Sequence, residues 1–272
     1  MKTKITALAY SLLLLLSFSS CSTFLTPAIM GNNMGYLPRA MGADSIKTLT
    51  HVSASYAASV SPDSGIDFEM GMINLSRAKT FEKSNVSYGV FAYTGTSSYG
   101  DINKNALENS SDDLPYFKKS VRGIGLRFST GLHSTSINGN TDFRFINLEN
   151  ALSFEGGDYT KFRQEVYSSK IPDYVAVTNR KVLWTTGLST EVIWRARRAH
   201  DIRHAFRLFI GGTPNFVNSF RYGTSAAEDI KGKNSIGWVF NYFLSIKRFS
   251  LSYELANNVN FANKISLGYS FQ

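Results

Sequence analysis

From Thr48 to Gln272 the chain repeats one pattern, an apolar residue followed by a polar or small one. A period of two marks a β-strand with two unlike faces, and it is incompatible with helix over most of this length. The last segment shows it best. Phe261, Ile265, Leu267, Tyr269 and Phe271 fall on one face, and Lys264, Ser266, Gly268 and Ser270 on the other. Ile236, Trp238, Phe240, Tyr242, Leu244 and Ile246 share a face, as do Phe249, Leu251, Tyr253 and Leu255. Val182, Trp184, Leu188, Val192 and Trp194 alternate with Thr185, Gly187, Ser189, Glu191 and Arg195. About ten such strands are predicted. They cover 48–60, 64–75, 84–95, 119–132, 141–154, 180–195, 203–213, 235–247, 249–257 and 261–272. In the fifth, Phe143 and Phe145 share a face that Ile146, Leu148, Leu152 and Phe154 leave. A bulge near Ile146 reconciles them.

Each segment is close to the ~9–11 residues that a tilted membrane strand needs. The connections carry a second signal. Counted from the first strand, the third (96–118), fifth (155–179) and seventh (214–234) are long. The second (76–83), the fourth (133–140), the sixth (196–202) and the eighth, around Arg248, are short. Long and short connections therefore fall at opposite ends of the strands. The polar face is rich in Gly, Ser, Thr and Asn, and Trp and Tyr lie near strand ends. These features predict an all-β fold, a ten-stranded antiparallel transmembrane β-barrel with its apolar face in lipid. The alternative is a soluble, lipid-tethered β-barrel or sandwich with the two faces exchanged.

The first residues differ. Lys2 and Lys4 precede an apolar run from Ile5 to Phe18, followed by Ser19, Ser20 and Cys21. This is the layout of a secretory signal peptide, with a run shorter than the ~20 residues of a membrane helix. Cys21 is the only cysteine, so no internal disulfide can form. Phe18-Ser19-Ser20-Cys21 resembles the bacterial lipobox. That resemblance implies cleavage before Cys21 and a diacylglycerol on its thiol. Residues 22–47 have no period and are broken by Pro27, Pro38 and several glycines. The expected organisation is a signal peptide (1–20), a lipidated tether (21–47) and a barrel domain (48–272). With its "FSSC" and its closing strand "KISLGYSFQ", the chain resembles small bacterial outer-membrane β-barrels with a lipoprotein-type signal. The resemblance implies an outer-membrane protein anchored at its N-terminus on the periplasmic side.

Removing Lys2 and Lys4 with the leader takes the net charge from +9 to +7. For an exported chain, a basic balance points to anionic lipid rather than nucleic acid. The expected partners are outer-membrane lipid and lipopolysaccharide phosphates; no protein partner is legible. The polar face predicts a luminal charge network of Asp67, Glu69, Arg127, Arg144, Glu191, Arg195, Arg207 and Glu254, with Lys247 and Lys264. Buried charges of both signs must pair. The long connections carry Lys118, Lys119, Lys161, Arg163, Lys170, Arg180, Lys181, Lys231 and Lys233. Asp101, Asp112, Asp113, Asp158, Asp173 and Asp229 are interspersed with them. His51, His133, His200 and His204 map to the short-turn rim, where arginines beside His200 and His204 disfavour a cation. No metal or cofactor is expected. No hydrolase or phosphate-binding motif is present. The expectation is a non-enzymatic envelope or surface-interaction protein. A narrow solute channel and a rim hydrolase are the alternatives.

Overall fold

The computed structural model describes residues 22–62, 65–100, 114–196, 199–224, 226 and 236–271, without the side chains of Ala199 and His200. Cys21 and the expected signal peptide (1–20) lie outside the described residues. So do Asp101, Asp112, Asp113, Asp229, Lys231 and Lys233. After a short strand β1 (Thr23–Leu25), the barrel begins with β2 (Thr48–Val60), β3 (Asp67–Thr80), β4 (Ser84–Tyr99), β5 (Phe117–Thr135) and β6 (Thr141–Gly156). Helix α1 (Asp158–Ser168) and strand β7 (Val175–Thr178) follow, outside the wall. The wall resumes with β8 (Val182–Ala196) and β9 (Ala199–Gly212). Strand β10 (Phe220–Tyr222) then precedes β11 (Ile236–Ile246), β12 (Phe249–Asn258) and β13 (Asn260–Phe271). The wall strands pair antiparallel with their neighbours, and β13 pairs with β2 to close the barrel.

The expected bulge is present in β6. Phe143, Phe145, Ile146, Leu148 and Phe154 are all exposed on the outer face, because the register against β8 slips between Arg144 and Asn147. Glycines make room for aromatic rings inside. Phe91 lies opposite Gly125 and Tyr93 opposite Gly123. A Cβ at Gly125 would stand 2.2 Å from the Phe91 ring.

The barrel is inside-out relative to a water-soluble one. Ile73 is 65 % exposed, Ile124 62 % and Leu267 67 %, all on the outer face. Ser87, Ser129, Asn147, Thr185 and Asn241 are fully buried inside. An apolar belt running round a closed barrel is solvated by lipid, and closure leaves the wall without a free sheet edge. The soluble alternative, with apolar residues in, is therefore set aside. Aromatic residues flank the belt: Tyr88, Phe249 and Phe271 towards the short turns, Trp184, Trp238 and Phe261 towards the other end.

Residues 22–47, expected as a tether whose place, periplasm or lumen, the sequence leaves open, lie inside the barrel. They run through the lumen from one end to the other. Thr26 bonds Asn260 beside the β12–β13 turn. The amide of Ala28 donates to Glu155 at the end of β6. Asn33 reaches Thr185, Arg39 reaches Asn147, and the amide of Gly42 reaches Asp142 at the other end of β6. Lys47 then leads into β2 at the short-turn end. The first described residue, Ser22, thus lies at the long-connection end, opposite to the expectation for the N-terminus. The even strand count does put Thr48 and Phe271 together at the short turns. It says nothing of a segment that re-enters the barrel, and this one has no period because it forms no wall.

Candidate functional site: a filled lumen under a cap

The segment is held by charge. Arg39 makes an ion pair with Glu191 at 3.3 Å and bonds Ser87 and Ser129. Tyr36 donates to the same Glu191. Arg144 sits between Asp142, at 3.3 Å, and Glu191, at 3.6 Å, and donates to the carbonyl of Ala40. Arg127 donates to the carbonyls of Asn32 and Asn33, and its guanidinium lies 4.0 Å from the Phe91 ring centroid. At the short-turn end Asp44 pairs with both Arg195 and Arg203. Elsewhere in the wall, Arg207 pairs with Glu149 and Lys264 with Glu254. These groups are almost all shielded from water, so each depends on its partner.

Six of the expected network residues face the lumen: Arg127, Arg144, Glu191, Arg195, Arg207 and Glu254. Asp67 and Glu69 do not. Both are exposed on the outside, because they share the parity of Ile73 and Leu75. The inward positions that alternate with them and continue along β3 hold Phe68, Met70 and Met72, in one buried cluster with Phe24, Ile29 and Tyr159. Lys247 is also outside. It occupies a left-handed turn position (φ 55) beyond the alternation of β11. Lys264 faces in, as expected.

Several partners escape the sequence reading. Arg39, Tyr36 and Asp44 belong to the aperiodic segment. Asp142, Glu149 and Glu155 lie on the inward parity of β6 once the bulge is counted, which is the signal that could have found them. Arg163, expected among solvated loop cations, is fully buried. It pairs with Glu155 at 2.6 Å and donates to the carbonyls of Thr178 and Arg180.

The long-connection end is closed by a cap. β1 pairs parallel with β7, and β7 antiparallel with β10. Phe24, Leu25, Tyr159, Val175, Phe216 and Phe220 form one buried cluster beneath it. The Tyr159 hydroxyl, pushed well up by burial, stays protonated and donates to the carbonyl of Thr26. At the start of α1, the Ser120 hydroxyl donates to Asp158 and holds its carboxyl below the usual range. An anion at a helix N-terminus is favourable.

The histidines offer little to a substrate. His133 uses both ring nitrogens, on Asp142 (2.8 Å) and on the carbonyl of Phe81 (3.0 Å). His51 lies 2.9 Å from Ser250, but the adjoining cavity is about 20 Å³, room for one water. His204 bonds Tyr242 and stacks on Trp194 on the outer face. The side chain of His200 is outside the described residues. Among the described residues, no three His, Cys, Asp or Glu side chains converge as metal ligands would.

No family model and no curated protein matches the chain. Solved structures do. The translocator domain of the autotransporter NalP from Neisseria meningitidis is 8 % identical, over 84 % of this chain and 90 % of that one, with a TM-score of 0.41. The outer membrane protein OprG from Pseudomonas aeruginosa is 6 % identical, over 86 % and 100 %, with a TM-score of 0.36. Ail, the attachment invasion locus protein of Yersinia pestis, is 10 % identical, over 83 % and 98 %, with a TM-score of 0.28. The likeness is one of fold. At these values it transfers no activity, and the barrel assignment rests on the closed ladder itself.

Proposed function

We propose that the chain is a non-enzymatic lipoprotein of the bacterial outer membrane that acts through its capped, long-connection end, turned to the outside. The observation that carries this reading is the lumen: residues 22–47 fill it and are ion-paired to the wall. A filled, tightly paired lumen favours a presenting scaffold over a permanently open pore. The elaborations, α1, β7 and β10, all lie at one end. Cell-surface partners, lipopolysaccharide phosphates among them, are proposed to meet that end. Exposed bases such as Lys118 and Lys161 are available there.

Cys21 is proposed to carry the lipid, on the strength of "FSSC". Ser22, the next residue, lies at the capped end, and the lipid is therefore proposed to enter the outer leaflet. This reverses the leaflet expected from strand parity alone. Two measurements test the proposal. Mass spectrometry of the N-terminal peptide should show Cys21 carrying a diacylglycerol; an unmodified thiol overturns the lipoprotein reading. Purified protein in planar bilayers should show no steady conductance. An open channel at rest overturns the scaffold reading.

A further inference from the structure

The outer face of the barrel is uneven around β2–β5. Val52, Ile73, Leu75, Val90, Ala92 and Ile124 line an apolar groove of about 550 Å³. Ala92 has the smallest side chain of the six. Following β3 from the groove towards the short turns, the next outward residues after Leu75 are Arg77 and Lys79, both exposed. Arg77 stands opposite Tyr88 of β4. Lys79 holds its Nζ 5.1 Å from the centroid of Phe81, and the exposed Lys83 follows in the turn with one carboxylate, Glu82. At the far end of the same strand, the outward residues are Asp67 and Glu69. One end of this groove therefore attracts anions and the other repels them.

We propose that this face is a binding site for an anionic phospholipid of the periplasmic leaflet. Its acyl chain lies in the Val52–Ile124 groove, and its headgroup phosphate meets Arg77 and Lys79, with Lys83 close by. Basic residues at a membrane surface each favour an anionic lipid, and Tyr88 and Phe81 are residues suited to headgroup depth. The carboxylates at the opposite end fix the lipid's direction. The site rests on the short turns facing the periplasm.

The test is native mass spectrometry of the full-length protein in mild detergent, titrated with phosphatidylglycerol or phosphatidylethanolamine. The wild type should retain the anionic lipid preferentially. R77Q/K79Q should weaken that retention by about fivefold for each base removed. R77K/K79R should keep it. A92F should reduce retention of both lipids while leaving their ratio unchanged. R122Q, an exposed base towards the capped end, should have no effect. Wild-type preference in R77Q/K79Q, or an equal loss in R122Q, overturns the site. Each sample is also run on gels with and without boiling, since closed barrels migrate differently until heated. Absence of a shift in the wild type would defeat the membrane-barrel reading instead. Should R77Q/K79Q alone lose its shift, K79Q decides the matter, with an expected loss of about fivefold.

Discussion

Glu191 ties the luminal segment to the wall, since Arg39, Arg144 and Tyr36 all address it. Replacing it leaves Arg39 without its carboxylate and Arg144 with Asp142 alone, and breaking a buried ion pair costs about 3–5 kcal/mol. E191Q should therefore lower the temperature at which the folded gel form is lost. E69Q changes an exposed carboxylate and should stay within about 0.5 kcal/mol of wild type. The pair of variants separates inside from outside at a single residue each. It also marks what the sequence reveals at this scale. Glu191 alternates with Val192 and Trp194, so its inward position is legible. Glu69 shares parity with Ile73 and Leu75, and that parity was the better guide than its charge. A carboxylate at the margin of the lipid belt can face outward at little cost, because water is within reach there.

At the scale of elements, the wall is legible because two-residue alternation is a local property of each strand. The bulge in β6 is legible for the same reason. Boundaries are less so: β5 runs from Phe117 to Thr135, past both ends of the alternating stretch 119–132, where the wall leaves lipid and apolar residues are no longer required. The luminal segment is not legible as a plug. Its order comes from distant partners, and no local period encodes them. Removing residues 23–46 should empty the lumen and produce conductance in planar bilayers that the intact protein lacks. The variant should also be less stable, because Arg127, Glu191 and Arg195 lose luminal partners. In a C21S background, N33C/T185C should cross-link segment to wall, since the native side chains touch. A reduction-sensitive cross-link on gels checks that register. Its failure to form would argue against the threaded arrangement.

For the whole molecule, β3 works as a ruler. Glu69 and Arg77 are eight positions apart on its outer face, roughly 27 Å at ~3.4 Å per residue. A tilt of about 40° reduces this to ~20 Å, somewhat below the ~25 Å apolar band of outer-membrane barrels. The orientation proposed above makes a clear prediction in intact cells. In a C21S background, N215C, exposed beyond the cap strands, should react with a membrane-impermeant maleimide. N138C, in the β5–β6 turn, should react only after the envelope is permeabilised. The reverse pattern would invert the molecule.

The threading of residues 22–47 also constrains assembly. Strand β13 closes on β2, pairing Phe271 with Thr50, from opposite ends of the barrel sequence. Contacts of such long sequence separation form late and slowly. The seam must close around a segment of the same chain already lying inside it, or that segment must be drawn through a finished ring. The first order of events is the simpler one. On that route the N-terminal segment acts as a mandrel: the barrel is wound on it, and Arg39 and Asp44 help to set the register of β4, β5, β6, β8 and β9, the strands they meet.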